Sequence, residues 1–267
     1  MDGFVIAAGI ILAVLVFAAL FAPLLAPFDP QLLDLRGGLE GPTAAHPLGQ
    51  DKIGRDVLSG IMYGGRVSLL IGFAVVAVSI VVGTAVGFVS GWVGGWVDEL
   101  FMRIVDILLA FPGILLAIAL AGVLGPSLWN VIFALSVMGW VGFARLVRGE
   151  VLSIKEREYV KAATVLGASP TRIALRHVLP NLSGPLAVKA TFAVAGTILS
   201  ESSLSFLGLG PQDTPTWGAI LSQGVDYLLF APHLAFFPGL AIMLTVLGIN
   251  IIGDEVSARL DPLGKHS

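Results

Sequence analysis

The chain has 267 residues, 56% of them hydrophobic and only 12% charged, with a net charge of −3. Soluble domains carry about 25% charged residues, so this chain has too little polar surface to cover a water-facing core, and a cytosolic enzyme, a disordered tail and a nucleic-acid binder are excluded. Cysteine is absent, which removes disulfide frameworks, thiolate metal sites and cysteine nucleophiles, and His46, His177, His233 and His266 fall without metal-ligand spacing.

Apolar runs of about 20 residues cross the hydrocarbon layer of a bilayer. The first extends from Phe4 to about Ala22; no Lys or Arg precedes it, so it reads as a retained anchor and not a cleaved leader. An outer loop, 23–67, opens with Pro23, Pro27 and Pro30 and closes with DKIGRDVLSGIMYGGRVSL, read as a short surface helix leading into a second span over about Ser68–Trp92. Gly83, Gly87 and Gly91 repeat GxxxG on one face of that span and permit close helix packing, within the subunit or against a partner. A third span, about Ile104–Leu124, carries Asp106, read as the partner of Arg103, and Phe111-Pro112-Gly113, read as a kink. A fourth covers about Leu128–Ala144. A fifth, about Leu186–Leu207, holds Lys189 at one end and Glu201 inside; a sixth runs over about Leu234–Gly253. The loop between these last two, 208–233, places Trp217 and Tyr227 at membrane-interface depth. The expected architecture is an all-α integral membrane protein of six transmembrane helices. It divides into 1–67 (first helix and outer loop), 68–262 (transmembrane core with an inner loop at about 145–185) and a tail, 263–267.

Orientation follows the basic residues. With the N-terminus inside, the inner segments hold Arg103, Arg145, Arg148, Lys155, Arg157, Lys161, Arg172, Arg176, Lys189, Arg259 and Lys265, against Arg36, Lys52, Arg55 and Arg66 outside, eleven to four. The N-in, C-in arrangement is a property of the whole chain.

The inner loop has readable punctuation. Tyr159, Ala162, Ala163 and Leu166 fall at i, i+3, i+4 and i+7, one stripe of a short helix. Gly167 and Ala168 close it, Ser169 with Pro170 starts a second helix through about Val178, and Leu179-Pro180 ends that one. Small residues on the stripe suit a protein surface; an amphipathic loop lying on headgroups is the alternative. Glu201, with Ser202 and Ser203 beside it, is either a pathway or gate element or a carboxylate paired with backbone or serine at a helix contact. Arg55, Asp56 and Arg66 either meet a delivering protein or cap the outer mouth.

The same loop residues carry a resemblance. Ala162, Ala163, Gly167, Leu179 and Pro180 match the EAA loop of ABC-importer permeases, with Lys161 where the family has glutamate. HPLGQDKIGRDVLSGIMYGGRVSL (46–69), GGWVDELFMRIVDILLAFPGILLAI (94–118), ESSLSFLGLG (201–210), PTWGAIL (215–221) and FPGLAIMLTVLGINIIGDEVSARLDP (237–262) together resemble the dipeptide, oligopeptide and nickel subfamily, in its "C" permease type. The resemblance implies a type I, MetI-like permease fold in a bacterial inner membrane and no catalysis in this chain. It also implies a homologous second permease, two ATP-binding subunits or domains that bind the 145–185 loop through Tyr159, Lys161, Ala162, Ala163, Leu166, Gly167, Ala168, Ser169, Leu179 and Pro180, and an extracytoplasmic substrate-binding protein. ATP and Mg²⁺ would be bound by the partner subunits, since this chain has no GxxxxGK[ST] loop. Short peptides are the expected cargo, with nickel chelates or another small solute as the alternative.

Two further classes of protein would need features of their own. A proton-coupled secondary transporter would use Glu201 and Asp106 as carriers and would carry paired inverted repeats, which the sequence lacks. An intramembrane hydrolase would need a nucleophile and base, or zinc ligands, on facing spans; the histidines lie in loops and termini.

Overall fold

The computed structural model describes residues 3–34 and 37–260; Arg36, Asp261, Pro262, Lys265, His266 and the tail 263–267 lie outside the described residues. All regular structure among the described residues is helical. The N-terminal helix α1 (Gly3–Leu20) and a single turn, α2 (Ala22–Leu25), lead into the outer loop. Helix α3 (Val57–Val93) is followed by α4 (Gly95–Leu109), α5 (Gly113–Leu124) and α6 (Leu128–Glu156). The inner loop contains α7 (Glu158–Val165) and α8 (Pro170–Ile173), then a π turn over Ala174–Val178 and a 3-10 turn over Leu179–Leu182. Helices α9 (Ser183–Phe206), α10 (Trp217–Val225) and α11 (His233–Leu260) complete the chain.

Five helical runs are long and apolar enough to cross a membrane, and the α4–α5 pair, bent by 83°, brings the number to six if it counts as one broken span. The expected kink at Pro112 is therefore a full break. Pro112 has an extended backbone as the N-cap of α5, and it supplies no N–H to continue the ladder from α4. Two other expected boundaries shift. The surface helix expected before the second span is the first part of α3 itself, started by Asp56, whose carboxylate accepts hydrogen bonds from the Ser59 backbone N–H at 2.8 Å and hydroxyl at 2.7 Å. Arg66 thus lies within α3, not in the outer loop. The fourth span continues past Ala144 to Glu156, a helix of 29 residues and so about 43 Å long at 1.5 Å per residue.

The fold is centred on the pairing of α3 with α6. A Cβ on Gly87 would lie 2.9 Å from Val147 Cβ, and one on Gly91 would lie 3.0 Å from Val151 Cβ, while Gly83 sits against Phe143 and the Trp140 carbonyl. The GxxxG face is thus used inside the subunit. On its opposite turns, α3 meets α9, where Gly72 faces Ile198. The main core joins Leu69 and Val76 of α3, Phe143 of α6, Val194 and Ile198 of α9, and Ala241, Ile242 and Ile249 of α11 around Trp217. Trp217, expected at interface depth, is 1% exposed, and its indole N–H donates to the Ile61 carbonyl at 2.9 Å. The outer aromatic belongs to the core because α10, which it opens, folds back over α3.

The outer loop is tied down at the start of α3. His46 Nδ1 lies 3.0 Å from Asp56 Oδ1, the His46 ring stacks on Phe28, and the Phe28 N–H donates to Ser59 Oγ at 3.1 Å. Asp56→Ala is expected to cost about 1–2 kcal/mol, the usual size of a lost N-cap, because it also releases His46 and Ser59. A melting temperature of the detergent-solubilised protein equal to that of the unsubstituted chain would contradict this.

Candidate functional site

The inner end of the molecule is a small folded unit built on α6. Val147, Val151 and Ile154 on α6 pack with Val160 of α7, Ile173 of α8, Val178 and Leu182. Only Arg157 separates α6 from α7. Helix α7 ends as its sequence specifies. Gly167 adopts φ +81°, its N–H donates to the Thr164 carbonyl, and the Ala168 N–H donates to the Ala163 carbonyl, both at 3.0 Å. This double closure is the Schellman arrangement, and the positive φ at Gly167 is what a side chain would oppose. Ser169 then caps α8 through its hydroxyl, which accepts from the Arg172 N–H at 3.3 Å, with Pro170 in the first turn.

Pro180 does not end the helical path, contrary to expectation. The Leu179 N–H reaches the Ala174 carbonyl across a π turn, and the backbone tightens to 3-10 over Leu179–Leu182 before α9 begins. Pro180 sits in the first turn of that short element, where a missing N–H costs little. The chain therefore passes from α8 into α9 without a flexible link.

What remains on the surface of α7 is apolar. Val160 anchors the helix, Ala163 and Ala168 are half-buried, and Tyr159, Ala162, Val165, Leu166, Gly167 and Ser169 face outward. Leu166 is 86% exposed and Val165 87%. The alanines expected on a contact face are thus flanked by two large aliphatic groups; the periodic stripe had included Leu166 but not Val165. Lys161 is held by Glu156 of α6 at 2.7 Å. The Tyr159 hydroxyl, 3.4 Å from Asn181 Nδ2, leans toward the 3-10 turn.

Charged residues fasten α4 to α6 beside this unit. Arg148 makes two hydrogen bonds to Asp98, at 2.5 and 2.6 Å, and the Ser90 hydroxyl also donates to Asp98. Asp106 was expected to pair with Arg103; its partner is Arg145 of α6, at 2.5 Å. A three-residue spacing permits a helical pair, but α4 packs beside α6 and brings Asp106 within reach of Arg145 instead. Lys155 Nζ donates to the Gly91 and Trp92 carbonyls, at 3.2 and 3.1 Å, closing the C-terminal end of α3.

Glu201 is fully buried. The Ser205 hydroxyl donates to one carboxylate oxygen at 2.6 Å and the Ser202 hydroxyl lies 3.5 Å from the other. The buried hydroxyls of Ser68 on α3 and Thr216 at the start of α10 face it. The surroundings of one carboxylate are thus drawn from three helices that are far apart in sequence. Ser203 is exposed, and its hydroxyl turns back to the Leu199 carbonyl. Ser202 and Ser203 border an apolar groove of about 700 Å³ between α9 and α11. At the outer face, Arg55 binds Asp51 at 2.6 Å and Gln223 of α10 at 2.9 Å. Arg55 and Asp56 border an outward cavity of about 510 Å³ that includes Asp51, Asp213 and Gln223. Arg66 is exposed on the flank of α3. No group of three or more His, Cys, Asp or Glu among the described residues is placed to hold a metal ion.

Comparison with known proteins supplies the family. The model described as "Binding-protein-dependent transport system inner membrane component" matches residues 83–264. The chain is 43% identical, over 95% of its length and 84% of the relative's, to the dipeptide transport system permease protein DppC of Alkalihalophilus pseudofirmus. It is 44% identical, over 96% of its length and 85% of the relative's, to the glutathione transport system permease protein GsiD of Escherichia coli O6:K15:H31. Among solved structures, an inward-facing form of the MetNI methionine ABC transporter aligns with 75% of this chain and 96% of that chain, with a TM-score of 0.61 and 19% identity. This last likeness extends to the fold.

Proposed function

We propose, given that this chain belongs to the binding-protein-dependent transport system inner membrane component family, that it forms half of the path by which short peptides cross the membrane. The chain is a multi-pass, non-catalytic permease subunit. Its partners in this reading are a homologous permease, two ATP-binding subunits that carry ATP and Mg²⁺, and a substrate-binding protein outside. Relatives named for dipeptide and for glutathione, itself a tripeptide, support a peptide cargo.

One observation carries the reading of the inner loop: α7 presents Tyr159, Ala162, Val165 and Leu166 to solvent while its other face is locked to α6 and, through α8, to α9. An apolar surface of this kind, beyond the end of a spanning helix, is a partner site. Because α6 joins α7 through one residue, and α8 continues helically into α9, a displacement of the docked surface moves two long helices as levers. Closure of ATP-binding subunits against α7 would rock α6 and α9, and the path would open to one side at a time. The charge expected of a glutamate at 161 is replaced by Lys161, which Glu156 of this chain already neutralises; docking therefore rests on the apolar face.

The test uses the absence of native cysteine. Ala162→Cys in the assembled importer is expected to crosslink to a single cysteine on the ATP-binding subunit, with a yield that changes on adding ATP. If cysteines placed in turn from Tyr159 to Gly167 all fail to crosslink, the docking assignment is wrong.

A further inference from the structure

Lys189 is a cation inside a spanning helix, and among the described residues no carboxylate answers it. It sits in the second turn of α9, its Nζ lies 5.4 Å from the centroid of the Phe143 ring, and a Cβ built on Gly142 would meet that Nζ at 3.1 Å. No ion pair among the described residues includes it: Asp98 and Asp106 are taken by Arg148 and Arg145. A lysine near a helix end ordinarily sends its head back to the nearest water. Helix α6 runs inward from Leu128 to Glu156, so Gly142 and Phe143 lie on the membrane side of Arg145 and Arg148. The ammonium of Lys189 thus points into the membrane-embedded part of the subunit and away from the inner cluster of charge.

Outward of it, one face of α9 carries small and hydroxyl side chains. Ala193, Gly196, Ser200 and Ser203 follow Lys189 at i+4, i+7, i+11 and i+14, one face of α9 running outward. Gly196 has nothing within 4 Å of the position a Cβ would take, and the Ser200 and Ser203 hydroxyls lie at the surface. The neighbouring face of α9 differs, carrying Phe192, Leu199 and Phe206, all exposed. Within one helix, then, exposed Leu199 and Phe206 adjoin a row of small and hydroxyl side chains, Ser203 bordering the apolar groove with them, and among the described residues the row ends, inward, in a cation without an ion pair. Hydrocarbon penalises an unpaired cation; a water-filled path does not.

We infer that Lys189 marks the inner part of the path and binds the carboxylate of the passing cargo, making it a specificity residue for anionic ends. This rests on the peptide-import reading, since a short peptide presents a free carboxylate. Phe143 keeps the ammonium in place by a cation–π contact, and Gly142 leaves room beside it.

The experiment compares Lys189→Met and Lys189→Arg with the unsubstituted chain in the complete importer in liposomes. Uptake of dialanine and of its C-terminal amide is measured, each with saturating binding protein. The ratio of variant to unsubstituted rate, taken for each peptide, cancels any preference of the binding protein. Lys189→Met is expected to slow the free acid about tenfold, the scale of one charge-assisted hydrogen bond, and to leave the amide within about twofold; Lys189→Arg restores the acid. Equal slowing of both peptides, or no slowing of the acid, overturns the role of Lys189 alone. Failure of the unsubstituted importer to move either peptide overturns the cargo reading and this inference with it. Lys189→Cys supplies a second readout. A charged, membrane-impermeant thiol reagent should label it, and dialanine should slow the labelling; labelling only by a lipid-soluble maleimide would place the side chain in the bilayer and overturn the inference.

Discussion

Gly87→Leu is expected to leave little folded protein. The position a Cβ would take lies 2.9 Å from Val147 Cβ and closer still to the Ala144 carbonyl. Backbone cannot yield as a flexible side chain would, so α3 and α6 must separate. Overpacking in a well-packed interior costs about 1–3 kcal/mol, and the effect here belongs at or above the upper end because the α3–α6 contact also positions Gly83 and Gly91. The expected observation is a loss of monodisperse protein on gel filtration after solubilisation, with a melting temperature many degrees lower in whatever survives. Gly9→Leu is the control, since a Cβ at Gly9 has nothing within 4 Å. Equal melting temperatures for Gly87→Leu and Gly9→Leu would show that the glycine face is not the packing seam.

Leu166→Asp is expected to abolish transport while leaving the fold intact. The side chain is 86% exposed in the isolated subunit, so its replacement removes no packing within this chain. At a docked interface it becomes a buried, unpaired carboxylate. Central interface residues contribute about 2 kcal/mol or more, equivalent to roughly thirtyfold in affinity, and an unpaired charge adds to the loss. The expected result is an unchanged melting temperature for the isolated subunit, loss of the ATP-binding subunits on purification, and peptide uptake reduced at least to a tenth. Full uptake with normal co-purification would remove Leu166 from the interface.

The inner loop was the most legible part of the chain because its signals are local. Gly167, Ser169 and Pro170 specify backbone conformations and caps within a few residues of themselves, and α7 ends and α8 begins where those residues require. Val165 escaped the periodic reading because its exposure comes from what does not cover it, and no spacing rule reports that. Pro180 was misread for a related reason. A proline terminates a regular α-helix, but a π turn followed by a 3-10 turn places it where its missing N–H is tolerated, and that adjustment is made by the packing of Val178 and Leu182 against α6.

Glu201 illustrates the opposite limit. Its neighbours in sequence suggested serine partners, and Ser205 and Ser202 are indeed two of them. The remaining hydroxyls come from Ser68 and Thr216, on other helices, so the closed environment of the carboxylate had no local signature. Asp106 behaves in the same way: the nearby Arg103 was the obvious partner, and Arg145, 39 residues on, is the actual one.

By itself, the sequence determined that the chain is an all-α membrane protein, where its long apolar stretches lie, and how α7 ends and α8 begins. Those properties follow from hydropathy over about 20 residues and from hydrogen bonds that reach four or five residues along the backbone. Only the tertiary structure decided that the glycine seam faces α6, that Trp217 is buried, that Asp106 pairs with Arg145, and that, among the described residues, the Lys189 ammonium lies against Phe143 without a counter-charge. Each of these depends on which helix is adjacent, and helix neighbours are chosen by the packing of surfaces separated by tens to hundreds of residues.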